Sequence, residues 1–299
     1  MLRPVALAAL ALLVAGTARA QPPGPLVGAA WLAAHRDEVR VVEVHPDGPG
    51  EATIPGAAVV GMDQLRASRA VGAERFDRLA IAPAGFEALM AHLDVDADDS
   101  VVVAWTGEGA SGAADAAYLY WQLRYYGHDA VALLDGGVAA VTPIAAEMAA
   151  PARAEGPAFA AEPRTGFNVT TPELAALVAD GAPALIDNRP LAFHVGLKRK
   201  SYVARDGHIP GSALFPFTFM VEDGERALFR SPERFERLAD DLGVSGEGPL
   251  VVYCNSGRVS ALGWFVLNEL AGREAVLYDG SLHAWAQDEA RPMTTALRR

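Results

Sequence analysis

Leu250-Val251-Val252-Tyr253-Cys254-Asn255-Ser256-Gly257-Arg258-Val259-Ser260 is an apolar run, then a thiol, then a glycine turn. Its first four residues predict a short buried strand. After Val259 the apolar positions Leu262, Val266 and Leu270 recur at helical spacing, with Gly263 and Leu267 on the same face. The chain's one cysteine therefore stands at the end of a strand and the start of a helix. There, unpaired backbone N–H groups and the positive end of the helix dipole stabilise a thiolate and attract anions. A lone cysteine is also commonly an inert small hydrophobe. The strand, turn and helix around Cys254 favour a nucleophile exposed in a cleft.

Outward from that loop, Thr171 to Ala179 reads as a helix, Ala184-Leu185-Ile186-Asp187 as a strand and Gly207-His208-Ile209-Pro210-Gly211 as a turn. A helix over Ser231 to Leu242 and a strand over Ala275 to Tyr278 follow. Helices alternating with short apolar strands predict an α/β fold with a parallel sheet covered on both faces. The first half repeats the order. Val41-Val42-Glu43 matches the Asp187 strand, Ile54-Pro55-Gly56 matches Ile209-Pro210-Gly211, Val103-Ala104-Trp105-Thr106 matches Val251 to Cys254, and Leu134-Asp135-Gly136 matches Tyr278-Asp279-Gly280. A duplicated domain is predicted, over residues 27–144 and 167–292, with a linker at 145–166. Thr106 stands where Cys254 stands in the second copy, and threonine without an adjacent base is a poor nucleophile. The first copy is predicted to be inactive.

The chain has 299 residues, 51% hydrophobic and 21% charged, which suits two soluble globular domains. Residues 1–20 differ: Arg3, the apolar stretch Val5 to Val14, and Ala18-Arg19-Ala20 have the layout of a secretory signal peptide, with the mature chain starting at Gln21. No second stretch reaches membrane-spanning length and no cysteine sits at the cleavage site, so a periplasmic or secreted protein without membrane insertion is expected. One cysteine forms no internal disulfide, and an unpaired thiol in an oxidising compartment suggests chemistry.

The net charge of -12 makes nucleic acid an unlikely partner. Between Asp187 and His208, however, Arg189, Lys198, Arg199, Lys200 and Arg205 face only two acids, Asp187 and Asp206. Such an island is commonly a solvated face; here it also suits drawing a small anion toward Cys254. The seven histidines show no zinc-type spacing and no dinucleotide loop follows a strand, so neither metal nor cofactor is implied. Composition does not indicate oligomeric state.

Four segments together, Asp187-Asn188-Arg189, Gly207 to Gly211, Cys254-Asn255-Ser256-Gly257, and Asp279-Gly280-Ser281 with Trp285, make the chain resemble the tandem rhodanese family of thiosulfate and mercaptopyruvate sulfurtransferases. The resemblance runs from Val27 to Trp285 and implies two rhodanese-like α/β domains, the second catalytic. It also implies a reaction in which Cys254 takes the outer sulfur of a small anionic donor such as thiosulfate, holds it as a persulfide and yields it to cyanide or a thiol. Arg189 is the implied donor clamp, its other possible role being an ion pair with Asp187. Arg258, which either reaches the anion or faces solvent, joins Asn255, Ser256, Gly257, Val259 and Ser260 around the loop, and Lys198 is a further expected anion contact. Trp285 is placed near the loop, His208 in a structural role, and Phe215-Pro216-Phe217 back in the core.

Two departures bear on the donor. Ser256 stands where many thiosulfate enzymes have lysine, as in the mercaptopyruvate type. Yet Arg78 occupies the place of the histidine that, with residues matching Asp63 and Ser256, relays a proton in that type. Thiosulfate needs no such proton and is the favoured donor; a mercaptopyruvate enzyme and a non-catalytic persulfide carrier or anion-binding module are the alternatives. A cysteine phosphatase would need arginine at the position of Ser260.

Overall fold

The structure, a computed structural model, describes residues 19–71, 74–148, 156–181, 184–222, 224, 226–244 and 248–295. Most of the expected signal peptide lies outside them. The first half runs β1 (Leu26–Val27), α1 (Ala29–Ala34), β2 (Arg40–His45), β3 (Ala58–Gly61), β4 (Arg66–Val71), β5 (Glu74–Ala80), α2 (Pro83–His92), β6 (Val101–Trp105), α3 (Gly109–Tyr125), β7 (Val131–Leu134) and α4 (Gly137–Val141). The second runs α5 (Thr171–Ala179), β8 (Leu185–Asp187), α6 (Leu191–His194), β9 (Ala213–Leu214), α7 (Pro232–Asp241), β10 (Leu250–Tyr253), α8 (Arg258–Trp264), β11 (Ala275–Leu277) and α9 (Ser281–Trp285). A π-helical turn, Phe265–Leu270, continues α8.

The two parallel sheets have the strand orders β1-β7-β6-β2-β3 and β11-β10-β8-β9. Without β1, the first order is the second with each strand replaced by its counterpart, so the duplication read from the sequence is also one of topology. The central strands β6 and β10 are buried along their whole length, as parallel strands covered on both faces must be. Register corrects one match. Glu43 lies opposite Val59 and Ala104 as Asp187 lies opposite Leu214 and Tyr253, so Glu43 holds the place of Asp187 as read, and Trp105 rather than Thr106 that of Cys254.

Between the halves, α3 packs against α8. Tyr120 meets the edge of Phe265 with ring centroids 4.9 Å apart, and Trp121, Trp264 and Phe265 are fully buried in a cluster containing residues of both sheets. Each such ring stabilises the joint by about 1.5–3 kcal/mol, so the halves form one apolar unit. The expected linker is anchored where it is described: Gly156 N–H donates to Asp96 Oδ2 at 2.7 Å, and Arg164 pairs with Asp129 at 2.6 Å.

One element is new. Strands β4 and β5 form an antiparallel hairpin, separate from both sheets, with a register shift between Ala67 and Arg69. It reaches the second half. Ala80 N–H donates to Asp279 Oδ2 at 2.7 Å, and Arg66 donates to the Ser256 carbonyl.

Candidate active site

The loop after β10 is fastened from below by the turn after β11. Ser281, at a φ of 49°, accepts N–H bonds from Cys254 at 3.1 Å and Gly257 at 3.0 Å through its hydroxyl, which donates to the Tyr278 carbonyl at 2.8 Å. The same Oγ lies 4.0 Å from Cys254 Sγ. Leu282 and His283 N–H groups bond the carbonyls of Cys254 and Asn255 at 3.2 and 2.8 Å. Gly257, at a φ of 81°, has no room for a Cβ, which would meet Asp279. Its amide is committed to Ser281, so Gly257 shapes the turn rather than binding an anion. Among the described residues, the amides of Asn255, Ser256, Arg258 and Val259 have no protein acceptor.

Cys254 is only 2% exposed, which corrects the expectation of a thiol open in a cleft. It borders a cavity of about 270 Å³ that Asn255, Ser256, Arg258 and Val259 also line. Ser260 is not there: it is fully buried and its hydroxyl donates to the Gly257 carbonyl at 2.9 Å.

Three cations line this inner cavity, Arg189, Arg258 and Lys200. Lys198, the expected contact, lies outside it; the intervening turn brings Lys200 in instead. Arg189 forms the ion pair with Asp187 and also lines the cavity. Its Nε and Nη2 bond Asp187 at 2.8 and 2.6 Å and Nη2 bonds the Gly207 carbonyl at 2.8 Å, while Nη1 has no protein partner among the described residues. Asp187 also bonds His194 Nδ1 at 2.9 Å. Burial pushes the Asp187 carboxyl up, but the bonds from Arg189 and His194 outweigh it and hold it below its ordinary range.

Arg258 does not simply face solvent. It pairs with Asp115 on α3, Nη2 to Oδ2 at 2.7 Å, and bonds Ser111 Oγ at 3.0 Å, tying the Cys254 loop to the first half. Burial raises the Asp115 carboxyl despite Arg258. Pro190, Phe193 and Phe217 form an apolar wall, so Phe217 turns to the cavity while Phe215 enters the core as expected. Trp285 does not wall it: fully buried, it donates to the Pro292 carbonyl at 2.9 Å. His208 has the expected structural place, bonded to the His194 carbonyl at 2.7 Å and stacked on His194 at 3.6 Å. Burial holds its imidazole below the ordinary value.

Tyr202 went unnoticed in the sequence. It lines the inner cavity and a larger outer one of about 590 Å³, and Ser256 and Arg258 border both. Its hydroxyl is 3.4 Å from Ser256 Oγ and its carbonyl 2.7 Å from His283 Nδ1; the other nitrogen of His283 meets Asp77. The Arg78 guanidinium lies over its ring, 4.3 Å from the centroid. Asp63, Arg78 and Ser256, the relay positions, all line the outer cavity. Thr106 lines a separate cavity with Glu108 and no lysine or arginine among its described lining residues, an arrangement without a cation for an oxyanion.

A rhodanese-like domain model matches residues 170–288. A protein of Haloferax volcanii, provisionally named a thiosulfate sulfurtransferase, is 30% identical over 90% of this chain and 95% of its own length. The sulfur carrier protein TtuD of Thermus thermophilus is 31% identical over 88% of this chain and 94% of its own. The crystal structure of SseA from Escherichia coli, described as having the rhodanese fold of 3-mercaptopyruvate sulfotransferases, aligns with a TM-score of 0.68 at 25% identity, over 86% of this chain and 98% of that one. Similarity along nearly the whole of these relatives, over two sheets of the same strand order, makes this chain a member of the tandem-domain rhodanese family of sulfurtransferases.

Proposed function

We propose that the protein transfers the outer sulfur of thiosulfate through a persulfide on Cys254 to cyanide or a thiol. The carrying observation is the inner cavity, which joins a thiol, four amides without protein acceptors and three cations. The Cys254 thiolate attacks the outer sulfur, the donor's S–S bond breaks, and its electron pair leaves with sulfite. Arg189, Lys200 and Arg258 hold the sulfite oxygens, while the amides receive the charge of the new terminal sulfur. Cyanide or a thiolate then attacks that sulfur, and the electron pair of the Cys254–sulfur bond returns to Cys254.

Mercaptopyruvate as donor would leave an enolate that needs a proton. Asp63 and Ser256 flank the outer cavity with Arg78, and a guanidinium has donors but no acceptor atom with which to take up a proton and relay it. That supports thiosulfate; a large excess of turnover with mercaptopyruvate would reverse the choice. The likeness to a sulfur carrier supports a second reading, in which sulfur remains on Cys254 in the presence of acceptors. Intact mass after thiosulfate, before and after cyanide or a dithiol, separates these. A catalyst gains one sulfur and loses it, a carrier keeps it, and Cys254→Ser gains none. An unchanged native mass refutes both.

The exported location is likewise our proposal, resting on residues 1–20. Cleavage after Ala20 would remove the Arg19 ion pairs with Asp98 and Asp99. Mass analysis of the amino terminus from the periplasmic fraction tests it, with Gln21 as the expected first residue.

A further inference from the structure

We propose that the outer cavity is the acceptor's binding site and that it takes a small thiol bearing both a carboxylate and an ammonium group. The assignment rests on the sulfur-transfer reading only for what the bound thiol goes on to do. The cavity's volume of about 590 Å³ is more than thiosulfate needs, and Tyr202, Ser256 and Arg258 border both it and the thiol's cavity. A molecule lodged in the outer space therefore has a short way to the sulfur on Cys254.

The lining specifies the ligand's charges. Arg66, Arg78 and Arg258 lie toward the catalytic loop: Arg66 donates to the Ser256 carbonyl, and Arg258 belongs to the loop itself. Arg258 is occupied by Asp115. Arg78 is freer: its Nε is buried without a hydrogen-bond partner and lies 3.4 Å from Asp77. Arg78 also holds a φ of 64°, a conformation that costs an arginine strain and carries its guanidinium over Tyr202. Asp47 and Asp63, both exposed, line the same cavity and form no ion pair with a described residue. Cations and unpaired acids lining one cavity fit a zwitterion, its carboxylate on Arg78 and its ammonium on Asp47 and Asp63. Cyanide uses none of these groups.

The cations also favour the thiolate form of the acceptor. That thiolate attacks the terminal sulfur of the Cys254 perthiolate, the bond to Sγ breaks, and its electron pair returns to Cys254. One negative charge enters on the acceptor and one leaves on the product persulfide.

The test is calorimetric titration with S-methylcysteine, a zwitterion unable to accept sulfur, against 2-(methylthio)ethanol and 3-(methylthio)propionate. S-methylcysteine is expected to bind at least about tenfold more tightly than either. Arg78→Asn, which tolerates the positive φ, and Asp63→Asn, on a different segment, are each expected to weaken it about fivefold, the loss of one partly screened ion pair. Equal binding of the three compounds, or binding that neither substitution alters, overturns the proposal. Because the titration needs no sulfur on Cys254, a failed persulfide experiment with intact S-methylcysteine binding would strike the transfer reading alone. Persulfide formation without selective binding would strike only this one.

Discussion

Replacing Arg258 with alanine should destabilise the protein by an amount that depends on pH in a stated direction. The pair it breaks is asymmetric: the Arg258 side chain is 31% exposed and that of Asp115 only 1%. Removing one partner of a fully buried pair costs about 3–5 kcal/mol, because the other charge is left in the interior. The water already at the Arg258 end can follow the missing guanidinium toward Asp115, so the expected loss at pH 8 is about 2–3 kcal/mol. Burial already raises the Asp115 carboxyl in the native chain, with Arg258 opposing it; without Arg258 the folded value rises further. A carboxyl raised by folding binds its proton more tightly in the folded state, so its contribution is most favourable below the unfolded value and is lost as pH climbs through the folded one. The gap between native and Arg258→Ala should thus narrow from pH 8 to pH 5. Asp115→Asn in the Arg258→Ala background should recover most of the loss. Urea denaturation of these three proteins and of Asp115→Asn alone, at both pH values, measures this cycle. A loss under about 0.5 kcal/mol, or a gap that widens on acidification, refutes the assignment of Asp115 as a buried charge held by Arg258.

Ser281→Ala removes the acceptor of two loop N–H groups and the donor to the Tyr278 carbonyl; a loss of about 2–3 kcal/mol in urea denaturation and slower sulfur loading on Cys254 are expected. Gly257→Ala meets both the positive φ and Asp279, so it should cost at least about 2 kcal/mol in the same assay and abolish loading measured by intact mass. Asp187→Asn frees Arg189, and kcat/KM for thiosulfate should fall at least about tenfold. Because folding lowers the Asp187 carboxyl, its stabilisation is present above its unfolded value, about 3.9, and is lost as pH falls through the folded one. Acid titration of the native chain should show that loss, and Asp187→Asn should not.

The strand, loop and helix around Cys254 were legible because their periodicities differ and a glycine marks the change. So was the duplication, since each copy repeats short apolar runs in one order. The hairpin of β4 and β5 was not: Arg66, Ser68, Arg69, Glu74, Arg75, Asp77 and Arg78 leave it few apolar residues, and of β5 only Phe76, Leu79 and Ala80 are buried. Lys198 and Lys200 were indistinguishable, because a segment without regular structure gives no sign of which side chain turns inward. Tyr202 carried no signal. Its place depends on Arg78, Ser256 and His283, which only the tertiary fold brings together.

The same distance in sequence explains how the first half serves a site whose nucleophile it lacks. Asp279, near the end of the second copy and raised by burial, accepts from Ala80 N–H at 2.7 Å and the Tyr118 hydroxyl at 2.8 Å, both from the first copy. It is also the residue that leaves Gly257 no room for a side chain. Arg258 reaches Asp115 and Ser111 on α3, and Arg66 takes the Ser256 carbonyl. The loop is thus clamped within the second copy by Ser281 and from outside by three segments of the first. The first copy carries no thiol, yet its helix α3 and its hairpin wall the loop of the other. An isolated second half would keep Cys254 and Ser281 but leave Asp279 without two donors and Arg258 without its carboxylate. The shape of the Cys254 loop is therefore a property of the pair, although every residue of its turn comes from one copy.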